Sequence, residues 1–286
     1  MLELMRDYSF WTVALGTLVL ALAASQIGTI SVLTRQSLIG DSLGHAAYPG
    51  IILSYMVFQS RQPLLLLLGA VGSGYLSYGL VGWLCRRGRT SRVNALVLVS
   101  AAFFGLGLVL KQYVQGNVAF QGAAQAGLEN YVFGQAAFMQ LDDVLLICLV
   151  ALLGLLLFSW HYQSLKLYLF DRQFAKLVGI PVEKIDRLTL FLQLSLIAVG
   201  LKVVGAILMS SFLIAPAVFG LLLGKSYGQT LALAAGIASF SALVGTYLSS
   251  VVKGLSTGPA IIVCLSVSSL VAFAYVTYIR KENVHA

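Results

Sequence analysis

Apolar residues in this chain gather into runs close to the roughly 20 residues that cross the hydrocarbon of a bilayer as a helix. They fall at 8–33, 36–59, 62–84, 93–113, 141–161, 188–205, 207–224, 229–250 and 257–279, with short polar stretches between them. The pattern predicts an all-α, polytopic helical membrane protein of eight to nine transmembrane helices. The count is nine if each run crosses, and eight if 188–224 folds as one broken unit.

Composition agrees with the pattern. Hydrophobic residues make up 59% of the chain and charged residues 10%, and the mean hydropathy is +0.92. A soluble core could not hide that much apolar surface. Residues 1–286 read as a single transmembrane domain, with no low-complexity tract, internal repeat or soluble domain longer than a loop. Ala21-Leu22-Ala23 resembles a signal cleavage site, but the leader carries Glu3 and Asp7 beside Arg6 and the apolar run continues past it, so cleavage is not expected. Cys85, Cys148 and Cys264 show no CxxC spacing and support neither a disulfide framework nor a thiolate metal site.

The charges orient the spans, because short loops rich in Lys and Arg stay on the cytoplasmic side. CRRGRTSR at 85–92 holds four arginines, and 162–187 holds Lys166, Arg172, Lys176, Lys184 and Arg187. The 112–140 loop carries Glu129 and, at its edge, Asp142 and Asp143, with no basic residue after Lys111. Alternation then places the N-terminus outside and the tail YIRKENVHA inside, which favours nine spans. The net charge of +8 follows from this asymmetry, so no nucleic-acid surface is read into it.

Within the second run, LIGDSLGHAAYPGIIL at 38–53 places an acid and a histidine at membrane depth, where ionisable groups are costly and usually mark a pathway. On a helix Asp41 and His45 share one face, with Cβ atoms about 5–6 Å apart, and would aim a carboxylate oxygen and an imidazole nitrogen at one point. Pro49 cannot donate to the carbonyl of His45, which frees a third oxygen. Gly40 and Gly44 form a small-xxx-small pair that lets another helix, or a second copy of the chain, come close. Two copies about a two-fold axis would supply four N/O ligands, suited to a first-row divalent ion. Alternatively, Asp41 caps a helix start or pairs with Arg35 while His45 hydrogen-bonds to a neighbouring helix. A hydrolase would use Ser42 with His45, or Asp41 as half of an aspartyl pair, but no second intramembrane Asp is evident and Ser42 lacks a nucleophile elbow.

In the loop after the fifth run, FDRQFAKLVGIP places Phe170, Phe174, Leu177 and Val178 at helical spacing with Arg172, Gln173 and Lys176 elsewhere, and Gly179 and Pro181 stop the helix. Such a helix lies in the headgroups or docks in a groove of another protein. GLLLGKS at 220–226 has three residues between its glycines where a Walker A loop needs four, so the chain carries no nucleotide motor. Lys202 and Lys253 read as side chains that snorkel to the interface, Asp142 and Asp143 as a favourable start for the fifth span, and STGPA at 256–260 as a helix start. His161 has no carboxylate at ligand spacing. Tyr8, Trp11, Trp83, Trp160 and Tyr278 read as interface anchors.

GDSLGHAAYPGI resembles the segment of form GDAxSHAxLPG in membrane permeases of ATP-binding-cassette (ABC) importers for manganese, zinc and iron. ENYVFGQ at 129–135 resembles that family's outer loop, YLFDRQFAKLVGIPVEK at 168–184 its cytoplasmic loop, and KVVGAILMSSFLIAPAVFGLLL at 202–223 its VGxxLxxxxLIxPAAxA segment. Gly44 stands where the family commonly has Ser. The resemblance implies a type II ABC importer-like permease in the prokaryotic cytoplasmic membrane, in which Asp41 and His45 bind the metal ion in transit. It implies a coupling helix at about 171–180, with Phe174, Ala175, Leu177 and Gly179 matching the docking pattern. The implied partners are two copies of an ATPase subunit that holds the ATP, an extracytoplasmic metal-binding protein, and a second permease copy, identical or a close paralogue. A permease for metal chelates such as siderophores or cobalamin is the nearest alternative; such cargo needs a wide, neutral cavity.

Overall fold

The computed structural model describes residues 8–60, 62–88, 90–117, 120, 134, 136, 139–252 and 254–282. Among them are ten helices: α1 Tyr8–Leu33, α2 Leu38–Phe58, α3 Pro63–Arg87, α4 Arg92–Gly116, α5 Leu141–Trp160, α6 Tyr162–Phe170, α7 Arg172–Leu177, α8 Val182–Leu223, α9 Tyr227–Val251 and α10 Thr257–Glu282. The outer-loop motif at 129–135, apart from Gly134, lies outside the described residues, as do Glu129, Lys253 and the ends of the chain.

Seven of these helices are long and apolar enough to cross a membrane: α1, α3, α4, α5, α8, α9 and α10 over Thr257–Tyr278. The chain is a multi-pass membrane protein, but the expected count of eight to nine spans is not reproduced. Two segments account for the difference. Helix α2 is 21 residues long, yet Asp41, His45, Pro49 and its glycines dilute its apolar content below that of a lipid-facing span. The runs at 188–205 and 207–224 form the single element α8, which is interrupted at Gly205 (φ 78°, ψ 172°).

That interruption is a reversal. A continuous helix would set residues 200 and 209 about 13 Å apart along its axis, but the sulfur of Met209 lies 2.4 Å from where a Cβ on Gly200 would stand. The dihedrals at Gly205 fall in a region open only to glycine.

Helix α1 lies inside the bundle, with 72% of its most apolar window buried, against 22–39% for the other spans. It packs chiefly against α8, α9 and α5. Buried hydroxyls on it bond within its own helix, Thr17 donating to Val13 O (2.8 Å) and Thr29 to Ser25 O (2.7 Å), as a water-free environment favours. Helix α2 is clasped by α3, α4 and α8. Where it crosses α3, a Cβ on Gly50 would lie 2.1 Å from Gly69 O, and one on Gly69 would lie 2.3 Å from Gly50 O. Backbone meets backbone there, and Ser54 Oγ donates to Leu65 O (2.7 Å) and Ser73 Oγ to Ala46 O (2.6 Å) across the same contact.

Candidate metal-ion site on α2

The chain enters α2 through a tight turn. Arg35 takes a left-handed conformation (φ 56°), and Gln36 N bonds back to Ser31 O (2.8 Å). The helix then continues through Pro49, leaving the carbonyl of His45 without its i+4 amide donor.

Most of α2 is buried, but Leu38, Asp41, His45, Leu53 and Met56 keep access at helical spacing, and Val57 and Phe58 are exposed at its end. Within that stripe the two polar side chains are about one-third (His45) and one-half (Asp41) exposed, and His45 Nε2 lies 3.8 Å from Asp41 Oδ1. That distance is too long for a hydrogen bond, so both groups retain free lone-pair directions. Arg35 makes no ion pair with Asp41 among the described residues. The pair sits in the first turns of α2, where the helix dipole favours the carboxylate.

Neighbouring elements fix the flanks. The ring of Phe104 on α4 meets that of His45 edge-on at 4.8 Å, and α4 presses close at Gly107, where a Cβ would lie 2.5 Å from Tyr48 Cδ1 and 3.2 Å from Pro49 N. The small-residue pair has a partner within the same chain: Gly40 faces Leu213, and Gly44 faces Leu201 and Ala206, all on α8. The face left open is therefore the one carrying Asp41 and His45. Among the described residues no group of three or more His, Cys, Asp or Glu side chains comes together. One chain thus offers two side-chain ligands at this point, and a complete coordination shell needs further donors from water, backbone or a second copy.

The residues of the segment after α5 separate into two groups. Phe170, Leu177, Val178 and Phe174 are 91%, 85%, 58% and 50% exposed, whereas Ala175 is fully buried. Ala175 therefore seats α7 on its own chain and leaves the aromatic and aliphatic side chains outward. Asp171 caps the helix, accepting from Gln173 N (2.8 Å) and Phe174 N (3.0 Å). Gly179 (φ 88°) closes it in a Schellman turn, with Gly179 N to Lys176 O (3.1 Å) and Ile180 N to Ala175 O (2.9 Å).

Other expectations resolve locally. Lys202 forms an ion pair with Asp143, whose side chain is 8% exposed; this replaces the snorkelling reading of Lys202, because a buried carboxylate recruits the nearest cation. Asp143 also completes a capping box with Gln140 at the start of α5, as expected for that end. The ring of His161 lies with Nδ1 3.0 Å from Leu157 O, at the end of α5. Two features escaped the sequence reading: Asp186, bonded by both Tyr168 and Arg172, and the buried Gln193, whose amide donates to Ser31 Oγ (2.7 Å). The only signal for Asp186 was an acid inside a basic loop.

Comparison with known proteins places these features in context. A family model described as the ABC 3 transport family matches residues 6–276. The chain is 34% identical over 276 residues to the manganese transport system membrane protein MntC of Bacillus subtilis, an alignment spanning 96% of this chain and 62% of that protein. It is 35% identical over 273 residues to the zinc transport system membrane protein TroC of Treponema pallidum, covering 95% of this chain and 90% of that one. It therefore spans less than two thirds of the first relative and nearly all of the second. The solved structure of PsaBC from Streptococcus pneumoniae in complex with Fab superimposes with a TM-score of 0.84 at 22% identity, over 98% of this chain and 97% of that one; at that identity the likeness concerns the fold.

Proposed function

The chain belongs to the ABC 3 transport family, and from that premise we propose that it is the membrane permease of an ATP-driven importer for a divalent transition metal ion: manganese, zinc or iron. The observation that carries this reading is the open face of α2, where a carboxylate and an imidazole stand one turn apart, 3.8 Å from each other and not bonded together. The names of the manganese and zinc relatives support the cargo class.

Helix α2 is then a further crossing, lined by protein instead of lipid, and it brings the seven to nine when the two arms of α8 on either side of Gly205 each cross. Asp41 supplies an anionic oxygen, His45 a neutral nitrogen and, past Pro49, a carbonyl oxygen; a second permease copy across a two-fold axis doubles the set. An external binding protein delivers the ion, and two copies of a separate ATPase subunit drive the change of access by docking at Phe174 and Leu177, which Ala175 and Gly179 hold in position. The relatives are bacterial, which supports a prokaryotic cytoplasmic membrane.

The test is metal uptake into proteoliposomes holding the permease with its ATPase. Asp41→Asn and His45→Ala each abolish uptake while co-purification with the ATPase is retained. Uptake at the normal rate in both variants excludes the site.

A further inference from the structure

Helix α7 is six residues long and buries only Ala175, yet it presents the exposed side chains on which a partner would pull. Beyond the packing of Ala175, its polar attachment to the rest of the chain is concentrated in one carboxylate. Asp186, in the second turn of α8, accepts a hydrogen bond from the Tyr168 hydroxyl of α6 (2.5 Å) and forms an ion pair with Arg172, the first residue of α7. The guanidinium of Arg172 in turn lies 5.5 Å from the centre of the Tyr168 ring. Three helices therefore meet at a single acid, about one-third exposed and paired with a half-exposed guanidinium, through charge-assisted contacts.

Polar side chains continue inward around a small cavity. Tyr168, Asp186 and Gln193 line one side of a cavity of about 20 Å³ whose other walls include Ser31, Thr34 and Gln36, room for about one water. Gln193 is itself bonded to Ser31, at the end of α1. The seam thus runs from α7 to the α1–α2 turn, five residues before Asp41.

Building on the transport reading, we propose that Asp186 is a positioning residue that locks α7 to α8 and the α1–α2 turn, so that displacement of α7 by the ATPase reaches the helix bearing Asp41 and His45. Without the lock, α7 moves on its own and the stroke is lost. The residue touches neither ion nor nucleotide; it acts through Tyr168 and Arg172.

The experiment uses the full permease–ATPase complex in proteoliposomes, comparing wild type with Asp186→Asn, Asp186→Glu, Arg172→Gln and the milder Tyr168→Phe. The readouts are metal uptake, ATP hydrolysis, co-purification and, on the full-length permease without the ATPase, tryptic cleavage after Lys176. Asp186→Asn and Arg172→Gln are expected to keep the complex and its hydrolysis while metal moved per ATP falls at least about five-fold, the lower end of usual coupling energies. Cleavage after Lys176 rises in the same two variants, and Asp186→Glu recovers both. Uptake and hydrolysis falling together, or unchanged cleavage after Lys176 in Asp186→Asn, would overturn the lock. Failure of the transport reading is separately visible, as wild type would then move no metal while the cleavage readout still reports on the lock.

Discussion

The backbone-to-backbone crossing of α2 and α3 sets the position of the candidate site, and adding one methyl group tests it. In Gly50→Ala the new Cβ would stand 2.1 Å from Gly69 O, whereas carbon and carbonyl oxygen rest at about 3.3–3.6 Å. The helices must part by about 1 Å. A gap of that size forfeits about a quarter to a half of the dispersion energy of each atom pair across it. It also stretches the bonds from Ser54 Oγ to Leu65 O and from Ser73 Oγ to Ala46 O, now 2.7 and 2.6 Å, beyond useful length. Interhelical hydrogen bonds in membranes contribute about 0.6 kcal/mol each, and overpacking costs about 1–3 kcal/mol. Alanine's better helix propensity returns about 0.5–1 kcal/mol, leaving a net loss of about 1–4 kcal/mol. At about 2–4 °C per kcal/mol, the detergent-solubilised protein should melt about 2–15 °C lower. Uptake per folded molecule should fall too, because α2 carries Asp41 and His45 with it. Gly69→Ala should behave alike, and the double variant should cost less than the two losses added, since the first methyl already opens the gap. Gly72→Ala, on the same helix with nothing within 4 Å of its added Cβ, is the control. Equal melting temperatures for Gly50→Ala and Gly72→Ala would refute the reasoning.

Two further outcomes are expected. Lys202→Met leaves the Asp143 carboxylate buried without its cation and should destabilise by about 2–4 kcal/mol in thermal melts, while Lys202→Met with Asp143→Leu recovers part of the loss, the capping box with Gln140 being lost too; breaking a buried pair costs more than replacing it. The Tyr168 phenol is held above its ordinary pKa, first by burial and then by its hydrogen bond to Asp186. Its stabilising contribution is therefore complete below the unfolded phenol's value of about 10 and lost only as pH rises through the higher folded value. Difference absorbance at 295 nm should show tyrosine ionisation continuing above the ordinary phenol range in wild type, and the amplitude of one tyrosine should move from that late phase to lower pH in Asp186→Asn.

The helices were legible because, in lipid, each must satisfy its own backbone hydrogen bonds and cover itself with apolar side chains, so the signal lies within about 20 consecutive residues. The expected runs coincide closely with α1, α3, α4, α5, α9 and α10. Asp41 and His45 were legible for a related reason: helical period alone brings residues four apart onto one face, and their unusual depth draws attention to them. The cap at Asp143 and the stop at Gly179 are likewise local.

The sequence by itself determined the solvent, the helices and the pairing of an acid with a histidine, since each depends on neighbours along the chain. Only the tertiary structure decided that α8 covers Gly40 and Gly44, that the chain reverses at Gly205, that Lys202 reaches Asp143, and that Asp186 gathers α6, α7 and α8. Those contacts join residues far apart in the chain, and lipid is as apolar as a helix surface, so hydropathy carries no mark of which helix lies against which.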